Sequence, residues 1–285
     1  MSRLFRSLLF VPGNNPRFLE KAKTIQADIV CFDLEDSVPD AEKKTARELI
    51  KGALKLRSSY AADVYVRTNS PASGKIPDDL QQIVQRGLDG IVIPKVNSAA
   101  ELLKIQKIVS GLEKKRKLGK ITLMPSIESA QGVVNTYEIT SCSSRVEAVV
   151  FGVFDLLNDM GIEYTKQPEG AKYARAKIPL DARAAGVYAI DAIWQDLKDV
   201  EGLKQDCAIG KSLGYVGKSI IHPDQIQAVH EAFAPNEAEL AWAKKVCDTY
   251  LESAKSGRGA TVVEGKMIDE VHYKRAKALL ELAKK

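Results

Sequence analysis

DIVCFDLEDSV, residues 28–38, opens as a strand and closes as a cluster of acids. Ile29 to Phe32 form an unbroken apolar run, the pattern of a parallel strand covered on both faces. Asp33, Glu35 and Asp36 then follow within four residues. Burying a carboxylate is costly unless a cation or hydrogen bonds compensate. Acids at the end of a buried strand therefore point to a cleft with a cation in it, and the fold must explain why a strand ends there.

Seven further runs resemble this one: SLLFVPG from residue 7, DVYVRTN from 63, GIVIPKV from 90, TLMPSIES from 122, EAVVFGVFDL from 147, VYAID from 187 and GYVGKSIIHP from 214. From 7 to 214 the starts are spaced about 30 residues apart, the length of a strand plus a crossover helix and its loops. The segments between them, such as PRFLEKAKTIQ (16–26), PDAEKKTARELIKGALKLR (39–57) and SAAELLKIQKIVSGLEKK (98–115), carry apolar residues at helical spacing, with Pro, Ser or Asp near their starts. Eight such units predict an α/β protein, a (β/α)8 TIM barrel over residues 1–233, with a doubly wound open sheet as the alternative. Residues 234–285 read as a C-terminal helical extension: a helix pattern, NEAELAWAKKVCDTYLESAK, a glycine-containing stretch, SGRGATVVEGKMID, and a last helix. It is too small for an independent domain and is expected to dock on the barrel or on a neighbouring subunit.

With 45% apolar and 28% charged residues the chain has a globular composition, and no window approaches a membrane span. The N-terminal apolar run is cut by Pro12-Gly13, too early for a signal peptide. Cys31, Cys142, Cys207 and Cys247 are widely spaced, form no CxxC pair and read as reduced packing residues of a cytoplasmic protein. The net charge of +5 is modest, and the one basic cluster, KKRK at 114–117, lacks interleaved aromatics and reads as a solvated helix end. Neither a nucleic acid nor a membrane is expected as a partner, whereas a polyanionic small molecule fits.

In a barrel of this kind the active site lies at the carboxyl ends of the strands. Those ends carry Asp33, Glu35, Asp36, Arg67, Lys95, Glu128, Asp155, Asp191 and His222, so acids outnumber lysine and arginine and a divalent cation would relieve the imbalance. Glu128 and Asp155 end adjacent strands, about 4.8 Å apart. They are the first candidates for a shared Mg²⁺, which takes one or two protein carboxylates and keeps open positions; the other reading is loop acids or ion-pair partners. Arg67, on the alternating strand VYVRTN, should point inward at the rim and either hold a carboxylate or neutralise Glu35. His222, with no nucleophile motif near it, reads as a structural hydrogen-bonding residue rather than a general base. The glycines of VPGNNP and LGYVGK form neither a P-loop nor a dinucleotide fingerprint.

RSLLFVPGNNPRFLEKA (6–22), DLEDSVPDAEKKTAR (33–47), VYVRTNS (64–70), IPKV (93–96), SIESAQGV (126–133), FGVFDL (151–156), AIDAIWQDLKDVEGL (189–203), GKSIIHPDQI (217–226) and GKMID (265–269) together resemble the citrate lyase β-subunit-like family. That family includes malyl-CoA, citramalyl-CoA and citryl lyases and is close to the HpcH/HpaI aldolases. The resemblance implies a barrel with a C-terminal lid, a homotrimer or hexamer, and Mg²⁺-dependent cleavage or formation of a carbon–carbon bond between a CoA thioester and a 2-keto acid. It implies Glu128 and Asp155 as metal ligands and Arg67 as the arginine that holds the keto acid. It places Phe10, Arg17, Lys21, Ile190 and Asp191 at the substrate or its CoA portion, and Asp269, delivered by a neighbouring subunit, as the catalytic acid/base. Glu35, Asp36 and Lys95 support the site. Two departures stand out: Ser129 where the family commonly has threonine, and Phe154 where it commonly has an acid before the metal-binding aspartate. The rival readings are an aldolase on free 2-keto acids and a non-catalytic or multi-enzyme subunit.

Overall fold

A computed structural model describes residues 4–166 and 168–283. The chain forms two compact units, which part at His230, within helix Ile226–Phe233. In the first, strands β1 (Ser7–Pro12), β2 (Ile29–Asp33), β3 (Asp63–Arg67), β4 (Gly90–Ile93), β5 (Thr122–Ile127), β6 (Ala148–Phe151), β7 (Tyr188–Asp191) and β8 (Gly217–Ile220) pair in parallel and in sequence order. β8 returns to β1, through Ser7–Lys218 and Leu9–Ile220, and closes the barrel. Helices follow the strands, so the (β/α)8 reading holds and the open sheet is excluded.

Register decides which side chains face the barrel interior. Paired residues of neighbouring strands share a face, and successive residues alternate. Phe10 pairs with Cys31, Cys31 with Tyr65, Asp33 with Arg67 and Arg67 with Val92. Leu8, Ile29, Cys31, Tyr65, Val92, Met124, Val150 and Ile190 fill the interior, a packed core of the kind that closes such barrels. The Tyr65 hydroxyl is satisfied there by Thr122 Oγ1 at 3.0 Å. Above this core the inward positions become Asp33, Arg67 and Ser126, so the interior changes from apolar to ionic at the carboxyl end of the sheet.

The outward parity is also polar in one place. Asp191 of β7 and Lys218 of β8 pair in register and face the helices. Lys218 Nζ lies 3.1 Å from Asp191 and bonds Asp206, while Arg175 Nε donates to Asp191 at 3.1 Å and Nη1 to Asp206 at 2.7 Å. This buried quartet ties β7 and β8 to helices Lys172–Ala184 and Val200–Leu213.

The second unit packs helix Glu237–Lys255, capped by Asn236 and Glu239, against helix Glu270–Leu282. Between them the stretch read as merely glycine-containing forms an antiparallel hairpin, β9 (Ala260–Val263) and β10 (Lys266–Asp269). Glu264 and Gly265 make its two-residue turn, both at positive φ (50° and 76°), as the right-handed strand twist requires. Val263 and Ile268 point into a small core with Ala243, Val246, Cys247 and Ala276. Among the described residues no helix is long and apolar enough to cross a membrane.

Candidate active site

At the carboxyl end of the barrel a cleft of about 480 Å³ is lined by Phe10, Asp33, Asp36, Arg67, Glu128 and Asp155, together with Ser126, Ser219 and a set of apolar side chains. Arg67 stands at its centre. Its Nε and Nη2 donate to Asp33 Oδ1 and Oδ2 at 2.6 and 2.7 Å, and its Nη1 lies 3.3 Å from Glu35. The Cζ lies 4.6 Å from the centre of the Phe10 ring, a cation–π contact. Burial works against the charge on Arg67, but Asp33 outweighs it and holds the pKa above the usual range. Asp33, likewise buried, is kept below the usual carboxylate range by Arg67 and by hydrogen bonds from Ser37 and Glu35 N. The sequence pointed to Glu35 as the neutralising partner of Arg67; the bidentate partner is Asp33, opposite it in register, and Glu35 adds a longer contact.

Glu128 follows the inward-facing Ser126 by two residues and so faces the same way, between β5 and helix Ala130–Val134. Ser129 caps that helix by accepting from Gly132 N at 3.0 Å, a function threonine also performs, so this departure from the family pattern is neutral. Gly152 makes room for the Glu128 side chain: a Cβ there would sit 2.4 Å from Glu128 Cγ. Glu128 is 5% exposed, and its Oε2 is buried without a hydrogen-bond partner. Burial, then the charge of Glu35, push its pKa up to about 8 against the opposing pull of Arg67. Burial likewise raises Glu35 to about 7. Asp155 lies in the first turn of helix Val153–Asp159, where the helix dipole favours a carboxylate.

Lys95 reaches over the group from the end of β4 with a left-handed backbone (φ 54°). Its Nζ lies 3.0 Å from Glu35, 3.2 Å from Asp155 and 3.4 Å from Asp36. A non-glycine residue at positive φ is strained and is found where the surroundings hold it for a purpose. Among the described residues no cluster of three or more His, Cys, Asp or Glu side chains is placed to hold a metal ion. Glu128 and Asp155 instead offer two carboxylates in one cleft, one with an unbonded buried oxygen, and this donor set fits an ion that completes its shell with water or substrate oxygens.

The other expected residues divide. Arg17 and Lys21 are exposed at i, i+4 on helix Pro16–Lys21, directly after β1. Ile190 and Asp191 do not line the cleft: Ile190 is 0% exposed in the barrel core, and Asp191 faces outward with its carboxylate held by Arg175 and Lys218. Strand parity turns the Asp191 side chain away from the cleft and leaves Ile190 in the core beneath it, so neither of these expected contacts lies in its lining. His222 Nδ1 accepts from Asp224 N at 3.3 Å and caps a short 3₁₀ turn, a structural role. Asp269 belongs to the second unit, where it caps helix Glu270–Leu282 by accepting from Val271 N and His272 N and contacts His272 Nδ1 at 2.6 Å. The side-chain hydrogen bond with His272 lowers its pKa, so it is a carboxylate at neutral pH. One residue escaped notice: Ser219, inward on β8 and 1% exposed, lines the cleft with a partnerless hydroxyl. Its register with the inward Leu8 was the available signal.

The model of the HpcH/HpaI aldolase/citrate lyase family matches residues 6–223. The citrate lyase subunit beta of Leuconostoc mesenteroides subsp. cremoris is 36% identical over 285 residues, 99% of this chain and 94% of that protein. The (3S)-malyl-CoA thioesterase of Cereibacter sphaeroides is 33% identical over 279 residues, 98% and 94% of the two chains. The crystal structure of CitE from Mycobacterium tuberculosis in complex with magnesium, acetoacetate and coenzyme A has a TM-score of 0.80 at 28% identity, covering 99% of each chain. A citrate lyase structure from Burkholderia xenovorans, at 19% identity and a TM-score of 0.88 over 99% and 93% of the two chains, shares the fold.

Proposed function

The chain belongs to the HpcH/HpaI aldolase/citrate lyase family, and from that premise we propose that it is a Mg²⁺-dependent carbon–carbon lyase of the cytoplasm. It cleaves or forms a 3-hydroxy-dicarboxylyl-CoA, such as malyl-CoA or citramalyl-CoA, with acetyl-CoA and a 2-oxo acid as the other side of the reaction. The observation that carries this reading is the partnerless buried oxygen of Glu128 in a cleft shared with Asp155 and Arg67. Magnesium and coenzyme A in the M. tuberculosis relative support it, and the four free cysteines suit a reducing compartment.

Glu128 and Asp155 would hold the ion. Bound there, Mg²⁺ supplies Lewis-acid polarisation of the 2-oxo group and a template for its oxygens. Asp33 fixes Arg67 through Nε and Nη2, so the guanidinium is already oriented for the substrate carboxylate and for alkoxide charge developing beside it. Asp269, ionised at neutral pH as an ordinary solvent-accessible aspartate is, takes a proton from C2 of the acyl thioester in the condensing direction. The enolate's electron pair then forms the bond to the carbonyl carbon, the carbonyl π pair moves onto its oxygen, and that alkoxide takes a proton from water to become the 3-hydroxyl. In cleavage the hydroxyl gives its proton to water, the carbonyl re-forms as the carbon–carbon bond breaks, and Asp269 returns a proton to C2 of the enolate. Arg17 and Lys21 suit the phosphates of CoA.

Asp269 serves the site of a neighbouring subunit in a homotrimer or hexamer. Supporting this, the hairpin exposes Val262 and Met267, register partners on one face, and Val271 follows directly, at 64, 63 and 72% exposure. Such a cluster marks a surface that meets another.

Malyl-CoA, citramalyl-CoA and citryl-CoA incubated with the protein and Mg²⁺ should release a free 2-oxo acid from at least one of the first two, read by coupled reduction. Silence with all three removes the proposal. Turnover of citryl-CoA alone, or only on adding partner subunits, establishes a second reading, a citrate lyase β subunit, which the name of the Leuconostoc relative favours.

A further inference from the structure

The charges lining the cleft are distributed in a way that discriminates among 2-oxo acids. Among the described lining residues Arg67 is the one cation, against the carboxylates of Asp33, Asp36, Glu128 and Asp155. Nε and one N–H of Nη2 are engaged by Asp33 and Nη1 lies 3.3 Å from Glu35, so the N–H groups left on Nη1 and Nη2 serve one substrate carboxylate at most. Lys95, above the cleft, is shared by Glu35, Asp36 and Asp155. The Ser37 hydroxyl already donates to Asp33 at 2.6 Å. A second substrate carboxylate would enter among acids with no charge-assisted donor to receive it, a costly placement.

Apart from the neutral hydroxyls of Ser37, Ser126 and Ser219 the rest of the lining is apolar, with Val150, Phe151, Val153, Phe154 and Ile193 on the β6 and β7 side. Phe154 is fixed by stacking on Tyr164, with ring centroids 4.3 Å apart and planes at 25°, so the wall is held in place. We propose that Phe154 is a specificity-determining residue and that the cleft takes a monocarboxylic 2-oxo acid with an apolar substituent in preference to a dicarboxylic one. This inference rests on the reading above that the cleft binds a 2-oxo acid.

Calorimetric titration of the full chain in Mg²⁺ tests it without turnover. 2-Oxobutyrate and freshly dissolved oxaloacetate form a matched four-carbon pair that differs in a terminal methyl against a carboxylate, and pyruvate is the reference. 2-Oxobutyrate should bind at least about tenfold tighter than oxaloacetate, the penalty for a carboxylate without a charged donor. Phe154→Arg supplies that donor and should narrow the ratio at least about tenfold. Phe154→Leu keeps the apolar wall and should preserve the ratio, which separates the charge effect from misfolding. Oxaloacetate binding as tightly as 2-oxobutyrate, while pyruvate binds, overturns the selectivity and leaves the lyase reading intact. An unchanged ratio in a folded Phe154→Arg protein overturns the role of Phe154. Failure of every 2-oxo acid to bind overturns both this inference and the reading beneath it.

Discussion

Glu128 joins a stability cost to the metal-binding function proposed for it. Its pKa is raised to about 8 from an ordinary 4.5, chiefly by burial. A raised carboxylic acid favours the folded state at low pH; that contribution is complete below the unfolded value near 4.5 and is lost as pH rises through about 8. A bound divalent ion needs the carboxylate, so Mg²⁺ must displace a proton below pH 8. The rise in melting temperature caused by Mg²⁺ should therefore be larger at pH 8.5 than at pH 6, with about one proton released per ion at the lower pH, read by calorimetry in two buffers. Equal shifts at both values, with no proton release, would mean that Glu128 is not a ligand. Ser219 makes the complementary case. Its buried hydroxyl has no partner in the protein, and an unmade buried hydrogen bond is a liability unless a ligand makes it. Ser219→Ala should raise KM about threefold to tenfold without lowering the melting temperature. A loss of stability with unchanged KM would assign the hydroxyl to the scaffold instead.

At the level of strands and helices, what the sequence disclosed and what it withheld follow one rule. Eight strands were legible because parallel strands covered on both faces read as continuous apolar runs, and 30-residue spacing leaves little room for anything but a crossover. A run's end discloses height on the barrel but not side. Asp191 closes β7 at the level of the mouth, yet its neighbour Ile190 pairs with the inward Val150, so Asp191 must face the helices. Arg67 takes Asp33 as its bidentate partner, with Glu35 at a longer 3.3 Å, for the same reason, since register places β2 and β3 residues directly opposite. The hairpin of the second unit went unread because its strands are four residues each and carry no long apolar run; Glu264-Gly265 between VV and MI was its faint signal. The buried quartet gives this distinction a measurable consequence. Asp191→Ala leaves Lys218, 0% exposed, and Arg175 without one of their two carboxylates. Removing one partner of a buried ion pair costs roughly 3–5 kcal/mol, so urea denaturation should show a loss of that order, with residual activity following the folded fraction. A large rise in KM with normal stability would return Asp191 to the substrate.

For the whole molecule the matter to test is the proposal that Asp269 acts at the cleft of a neighbouring copy. Asp269 is set at the start of helix Glu270–Leu282 at the end of a hairpin with exposed apolar residues, which gain when another surface covers them. If a neighbouring copy provides the cover, each active site takes its metal ligands from one chain and its acid/base from the next. Two variants separate this from action within one chain. Asp269→Asn should lower kcat at least about a hundredfold, and Glu128→Gln should abolish it by removing a metal ligand while leaving Asp269 intact. Unfolded together and refolded as an equal mixture, the two chains assemble at random. A site is whole when its barrel comes from the Asp269→Asn chain and its acid/base from the Glu128→Gln chain, each with a chance of about one half in a cyclic oligomer. Activity should then recover to about a quarter of that of the unaltered protein. Neither variant alone reaches that level. A mixture that stays at the sum of its inactive parts would place Asp269 over the barrel of its own chain.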